Sequence, residues 1–341
     1  QPIHRSSHYQ IEDKSDEDQD RYPVSRLFDT FRNRDDVLVI PHIGGRHANL
    51  DYHEPELTPF IEIVSGHGRF EWFARDAMRR SLRVGFVGGT DDHTGRPGGG
   101  SPTSPALATR GGLMGVYARG LDRESLWAAF RKRHCYATTG VRMVLRVACG
   151  EHIMGDEFAI DRLPTIQVEV IGTDPLAKVE VVRDAETVYD HPLVSRSKAI
   201  PGAFMIVWSG ARVKTRRRNA DWSGGLTIDK GRFVSVQEYA FDLPWDGIVE
   251  SRSNSIRWRS TTSGDPDSVI VHVEAPDDAL VTFATGPAKF SFRPTALRGP
   301  MVVEAGELER RVEVSRVSSE PGPVQTSFQY TDHDVRRGTN A

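Results

Sequence analysis

Three segments of this chain place a histidine or a carboxylate just beyond a short apolar run. His42 follows VLVI at 37–40, and His67 follows FIEIV at 60–64. Asp91 and His93 follow Val84–Val87 in the stretch VGFVGGTDDHTGRPGGG. In a sheet of parallel strands covered by helices, side chains at the C-terminal strand ends converge. An aspartate and a histidine two positions apart on extended backbone point the same way, so Asp91 and His93 are expected to reach one metal ion together. A carboxylate with several imidazoles suits Zn, Mn or Fe. Such an ion lowers the pKa of a bound water towards neutrality, and the resulting hydroxide is a nucleophile for phosphoester hydrolysis. Glu62 alternates with Ile61 and Ile63. It is expected as a further ligand or as a carboxylate orienting an imidazole. The expected metal set is therefore His42, Glu62, His67, Asp91 and His93. Each histidine taken singly has a plainer reading as a loop donor or a half-buried ring, and only the repetition at strand ends favours a site.

Binding of an anion calls for cations and free amides. Arg46, Arg96 and the amides of Gly98, Gly99 and Gly100 are the donors expected for it, which makes Asp91, Arg46 and Arg96 the expected catalytic residues. No Walker A pattern, GxGxxG fingerprint, nucleophile elbow or HExxH motif occurs, so neither a nucleotide cofactor nor a serine nucleophile is indicated.

The elements that must position these residues read as an α/β alternation. SRLFDTFRNR at 25–34 has Leu27, Phe28 and Phe31 at helical spacing, with Ser25 as N-cap. Val37–Ile40, Phe60–Val64 and Val84–Val87 are expected as buried strands, and Glu71–Leu82 as a helix with Phe73, Ala77 and Met78 inward. Each strand is a continuous apolar run, as in a parallel sheet with both faces covered. Leu113–Ala118 is a further strand candidate. Asp122 is expected to cap a helix through Arg133, and residues 134–140 are expected to turn into a strand at Val141–Val147. Beyond about residue 148 the texture changes. Thr165–Ile171, Lys178–Val182, Ser268–Val273 and Arg310–Val317 alternate apolar and polar, which predicts an antiparallel β-sandwich. The expected organisation is a mobile lead-in at 1–24, an α/β domain at 25–148 and a β-sandwich at 149–341.

Composition narrows the function classes. The 341 residues carry 44 basic and 47 acidic side chains, a net charge of −3, so neither nucleic acid nor an anionic membrane is implied as a partner. Cys135 and Cys149 form no CxxC pair and read as buried thiols. KTRRR at 214–218 reads as a solvated loop, since no aromatic platform accompanies it. Trp208, Trp222, Trp245 and Trp258 read as packing residues. The start QPIHRSSHYQ resembles no signal peptide.

At its motifs the chain resembles the PHP (polymerase and histidinol phosphatase) superfamily of metal-dependent phosphoesterases. The nearest branch is one in which a PHP-like domain precedes a β-rich domain. The stretches that carry the resemblance are VLVIPH (37–42), FIEIVSGHG (60–68), GFVGGTDDHTGRPG (85–98), GGLMGVYA (111–118) and RHCYATTG (133–140). A looser match, IGTDPLAKVEVVRD (171–184), lies in the β-rich part. The resemblance implies the C-terminal part of a distorted (β/α)7 barrel holding divalent metal ions at its strand ends. In it, His42 matches a histidine after a late strand, Asp91 and His93 match the terminal D-x-H, and Glu62 and His67 match the branch's pattern. The superfamily's early H-x-H, and the ligands after it, have no counterpart here and would precede residue 1.

The expected function is thus a metal-dependent hydrolase of a small anion, a phosphate ester foremost, completed by a missing N-terminal half or a second copy. The alternative, from another class, is a non-catalytic binding or structural module with a vestigial metal site.

Overall fold

The computed structural model describes residues 24–43, 48–96, 98–100, 107, 109–195, 198–214 and 218–335. Arg46, the lead-in at 1–23 and Thr215–Arg217 of the basic cluster lie outside them. Strands dominate: three α-helices occur among the described residues, against sheets that are several and open.

The first part is organised on Phe60–Ser65, which pairs in parallel with Gly85–Gly88 (Phe60 opposite Gly85, Ile61 opposite Phe86). Alternation along this strand divides it. Ile61 is fully buried with Phe73 and Ala77 of the Glu71–Arg79 helix and with Phe70 just before it, and Ile63 packs against them, while Phe60 joins Val87 and Cys135 on the opposite face. Glu62 therefore points away from the helix. Cys135–Thr138 lies against Gly85–Gly88 and pairs antiparallel with Leu113–Val116. The Arg123–Arg131 helix begins as the sequence predicts, with the Asp122 carboxylate accepting from the Ser125 amide at 2.7 Å.

The expectation of an α/β domain forming part of a distorted (β/α)7 barrel is corrected here. Among the described residues no sheet is closed, and only one strand pair in this part is parallel. Val37–Ile40 forms no strand. Only isolated backbone bonds tie this region to the chain around the Phe60–Ser65 strand, from Val39 N to Leu57 O and from Glu62 N to Pro41 O, and Ile40 is exposed. The turn expected within 134–140 is instead the strand Cys135–Thr138. A parallel barrel needs a covering helix after each strand, and three helices cannot supply that.

Beyond this part, Val144–Cys149 pairs with Thr165–Ile171, which in turn pairs with Gln325–Thr331. The largest core lies between two five-stranded antiparallel sheets. One runs Arg232–Tyr239, Pro266–Glu274, Ala199–Ser209, Arg311–Ser318, Met301–Glu304; the other runs Gly247–Ser251, Ser255–Arg259, Gly224–Ile228, Val281–Thr285, Lys289–Phe292. Trp208, Trp258, Phe204 and Phe283 from the two sheets, with Trp222 from the link before Gly224–Ile228, fill the space between them, with Trp208 and Trp258 stacked 4.6 Å apart. Trp245, by contrast, is exposed. Both cysteines are free, and burial pushes the Cys135 thiol up to about 12. Among the described residues no helix is long and apolar enough to cross a membrane.

Candidate metal centre

Three imidazoles named from the sequence, His42, His67 and His93, meet around the Asp91 carboxylate, and Glu62 holds one of them. Asp91 leaves the end of Gly85–Gly88 with φ of 49°, so the backbone here is not the extended path the D-x-H spacing predicts. The turn nevertheless brings the two side chains together, His93 Nε2 standing 3.2 Å from Asp91 Oδ1. Asp91 Oδ2 faces inward, 3.2 Å from His67 Nε2 and 3.6 Å from His42 Nε2. One ligand atom from each of His42, His67 and Asp91 falls within 4.8 Å of the others. His67 and Asp91 are mostly covered, whereas His93 has a side chain 66% exposed and marks the open side.

Glu62 takes a different position from the three. Its Oε2 is hydrogen-bonded to His42 Nδ1, so it grips the ring from behind while Nε2 faces Asp91. Gly89 makes this possible, because a Cβ there would lie 2.6 Å from Glu62 Oε1. The hydrogen bond to Glu62 raises the His42 pKa, helped by the charges of Glu62 and Asp91 and opposed by desolvation and by the charge of Arg218.

The test of whether these residues suit a cation rests on Asp91 Oδ2. It is buried and makes no hydrogen bond, although two imidazole nitrogens point at it. A buried carboxylate oxygen in that state costs free energy unless a positive group meets it. Two imidazoles and a carboxylate suit a divalent transition metal, with Glu62 fixing a ligand ring through its other nitrogen. The residues fit the ion.

An open cavity of about 430 Å³ begins beside this group at Thr90 and is lined by Gly98, Gly99, Gly100, Arg110 and Asp242. The glycine loop expected to bind an anion thus faces a cavity. Arg96 sits in the same loop and is exposed, its carbonyl accepting from the Gly99 amide at 2.9 Å. Two cations near the site were not singled out from the sequence. Arg110 lines the cavity, and its place directly before Gly111-Gly112 was the available signal. Arg218 belongs to the basic run read as a solvated loop, yet it is 4% exposed. It donates to the carbonyl of Ile43 at 2.9 Å and lies over the Phe70 ring. Burial depresses its pKa to about 10.

Residues 99–167 match the family described as "Protein of unknown function (DUF3604)". A Chlamydia pneumoniae protein described as uncharacterized is 27% identical over 195 residues, covering 49% of this chain and 31% of that protein. A Chlamydia trachomatis protein, also described as uncharacterized, is 31% identical over 203 residues, covering 50% of this chain and 32% of its own length. The chain therefore spans about a third of the length of these relatives. No solved structure matches.

Proposed function

We propose that this chain carries the metal-binding portion of a hydrolase acting on a small anion, a phosphate ester foremost, as the resemblance to the PHP superfamily implies. The observation that carries the reading is the convergence of His42 Nε2 and His67 Nε2 on the buried, unbonded Asp91 Oδ2. His42, His67 and Asp91 would hold a divalent transition metal, Zn, Mn or Fe, with His93 at the open side. Bound there, the ion would supply an acidified water and polarise a phosphoryl oxygen.

The chain's own residues do the rest. Glu62 holds His42 with Nε2 towards the centre and keeps a negative charge behind the ring, raising its basicity as a ligand. Arg110 and the loop Gly98–Gly100 line the adjoining cavity and are placed to bind and orient the anion. Arg218, buried and donating to the carbonyl of Ile43 next to His42, adds positive potential at His42 without reaching the cavity lining. The activity of the longer proteins to which this chain is similar forms part of the same proposal.

The experiment is elemental mass spectrometry on chain purified without chelator or polyhistidine tag, paired with hydrolysis of p-nitrophenyl phosphate and its diester under added Mn or Zn. Bound transition metal that disappears in Asp91→Ala, with turnover that disappears alongside it, is the expected result. Metal that disappears without any turnover would favour the non-catalytic module. Metal content unchanged by Asp91→Ala and His67→Ala would reject the site.

A further inference from the structure

A second group of carboxylates contains no imidazole and meets the same cavity through Asp242. Asp242, Asp265 and Asp267 each bring an oxygen within 4.8 Å of the others. Asp265 and Asp267 are each 1% exposed. Each uses one oxygen to hold its own loop: Asp265 Oδ1 accepts from the Ser263 amide at 2.6 Å, and Asp267 Oδ2 accepts from the Ser260 hydroxyl at 2.7 Å. The second oxygens, Asp265 Oδ2 and Asp267 Oδ1, are buried and make no hydrogen bond, and neither oxygen of Asp242 makes one.

Unbonded oxygens on almost fully buried carboxylates separate this group from an ordinary acidic surface cluster. Exposed carboxylates satisfy themselves with water, and buried ones are otherwise paired or bonded. Arg69 is the cation both Asp242 and Asp265 feel, yet it forms no ion pair with either among the described residues. Ionised together, three carboxylates beside one guanidinium would leave two negative charges uncompensated, which is why burial without a cation favours their protonated forms. A divalent ion brings the group to neutrality. Oxygen-only donors select hard cations over Zn or Fe, and Ca²⁺ tolerates an irregular carboxylate cage where Mg²⁺ requires near-octahedral geometry.

We infer that Asp242, Asp265 and Asp267 form a second metal site, specific for a hard divalent cation of the Ca²⁺ class, which clamps the sandwich onto the turn bearing His67. The turn and the loop are already in contact. Ser263 Oγ donates to the His67 carbonyl at 2.7 Å, and the Arg69 amide donates to the Ser263 carbonyl at 2.9 Å. Asp242 arrives from a different loop, after Arg232–Tyr239. A cation held by all three aspartates fixes both loops against His67–Arg69. Burial supports the need for a counter-charge: it pushes Asp267 up to about 9 and raises Asp242 and Asp265, and the charge of Asp265 adds to the rise of the other two.

Tb³⁺ is the probe, because Trp208 bonds through Ser260 to Asp267 and can sensitise its luminescence. Chain stripped with chelator is titrated with Tb³⁺ under tryptophan excitation and then with Ca²⁺, in wild type and in Asp91→Asn. The expected result is a sensitised signal displaced by Ca²⁺, retained in Asp91→Asn and weakened at least about tenfold in affinity in Asp267→Asn. Retention in Asp91→Asn keeps this test separate from the first centre. Asp242→Asn decides the matter if Asp267→Asn fails to fold, since Asp242 is less buried and holds no hydrogen bond to lose. Absence of a signal, or a signal unaltered by Asp242→Asn, overturns the inference. So does a melting temperature of Asp91→Asn that Ca²⁺ leaves unmoved.

Discussion

The hydroxyl of Ser263 donates to the backbone carbonyl of His67 at 2.7 Å, across a separation of nearly two hundred positions. The same histidine turns its ring nitrogen to Asp91 at 3.2 Å. One residue of the imidazole centre is thus anchored by a loop of the sandwich, so damage to that loop should be felt at the metal.

Gly264→Ala tests this coupling. Gly264 has φ of 88°, and a Cβ there would lie 1.9 Å from the Arg69 carbonyl oxygen. The substitution is expected to cost more than about 2 kcal/mol, from the left-handed backbone and the overlap together, and to weaken metal binding at His67. Gly98→Ala is the control: its φ of 78° carries the backbone penalty, but no atom lies within 4 Å, so about 1 kcal/mol is expected. Thermal melts and metal titrations on both variants would check it. Equal losses in the two would remove the case for a tight loop contact.

Glu62→Gln should lower metal affinity by about 10- to 100-fold while leaving the fold intact, because Glu62 acts on the ion through the His42 ring. Competition against a chelating dye measures this directly. His93→Ala is expected to cost less than His67→Ala, since the His93 side chain is far more exposed (66% against 17%). The reverse order would place the ion on the outer side of Asp91.

Much of this centre was legible in the sequence because it depends on local order. Alternation in FIEIV puts Glu62 opposite Ile61 and Ile63, and a histidine just after an apolar run stays close to the end of that segment even where, as at Val37–Ile40, no ladder forms. Strand direction was not legible. Leu113–Val116 is a short apolar run that reads alike in parallel and antiparallel sheets, and its antiparallel partner Cys135–Thr138 reads as a turn, so the barrel expectation fell on that point. The acidic group was hidden for another reason. Asp242, Asp265 and Asp267 stand in DLPW and GDPDS, contexts that read as turns, and only tertiary packing buries them together. Arg218 was concealed in the same way, one buried side chain at the end of a basic run.

Metal uptake should depend on pH through His42. Its pKa is raised, first by the hydrogen bond to Glu62, and a protonated Nε2 cannot ligate. Apparent affinity should therefore climb with pH and level off only above the ordinary imidazole value of about 6.5. The stability of the metal-free chain runs the other way. The contribution from a raised His42 is fully present below the unfolded imidazole value and is lost as pH rises through the raised one. Glu62→Gln should move the midpoint of uptake to lower pH. An unchanged midpoint in that variant would show that Glu62 does not set the charge of the ring.

The acidic group gives a second and distinguishable pH dependence. Burial raises Asp267 to about 9 and Asp242 to about 7, so in the folded chain both hold protons longer than in the unfolded one. Without a divalent ion, stability should fall as pH rises from the ordinary carboxylate range, near 4, towards 9. The loss is complete only once the folded carboxyls have ionised. A Ca²⁺ ion bound by Asp242, Asp265 and Asp267 favours their charged forms. Saturating Ca²⁺ should therefore flatten that slope, and its stabilising effect should grow with pH. Denaturant titrations at a series of pH values, with Ca²⁺ and with chelator, read this directly in Asp91→Asn, where the imidazole centre no longer contributes. A chelator curve that is flat from pH 5 to 9 would mean that these carboxyls are already ionised and compensated without a cation.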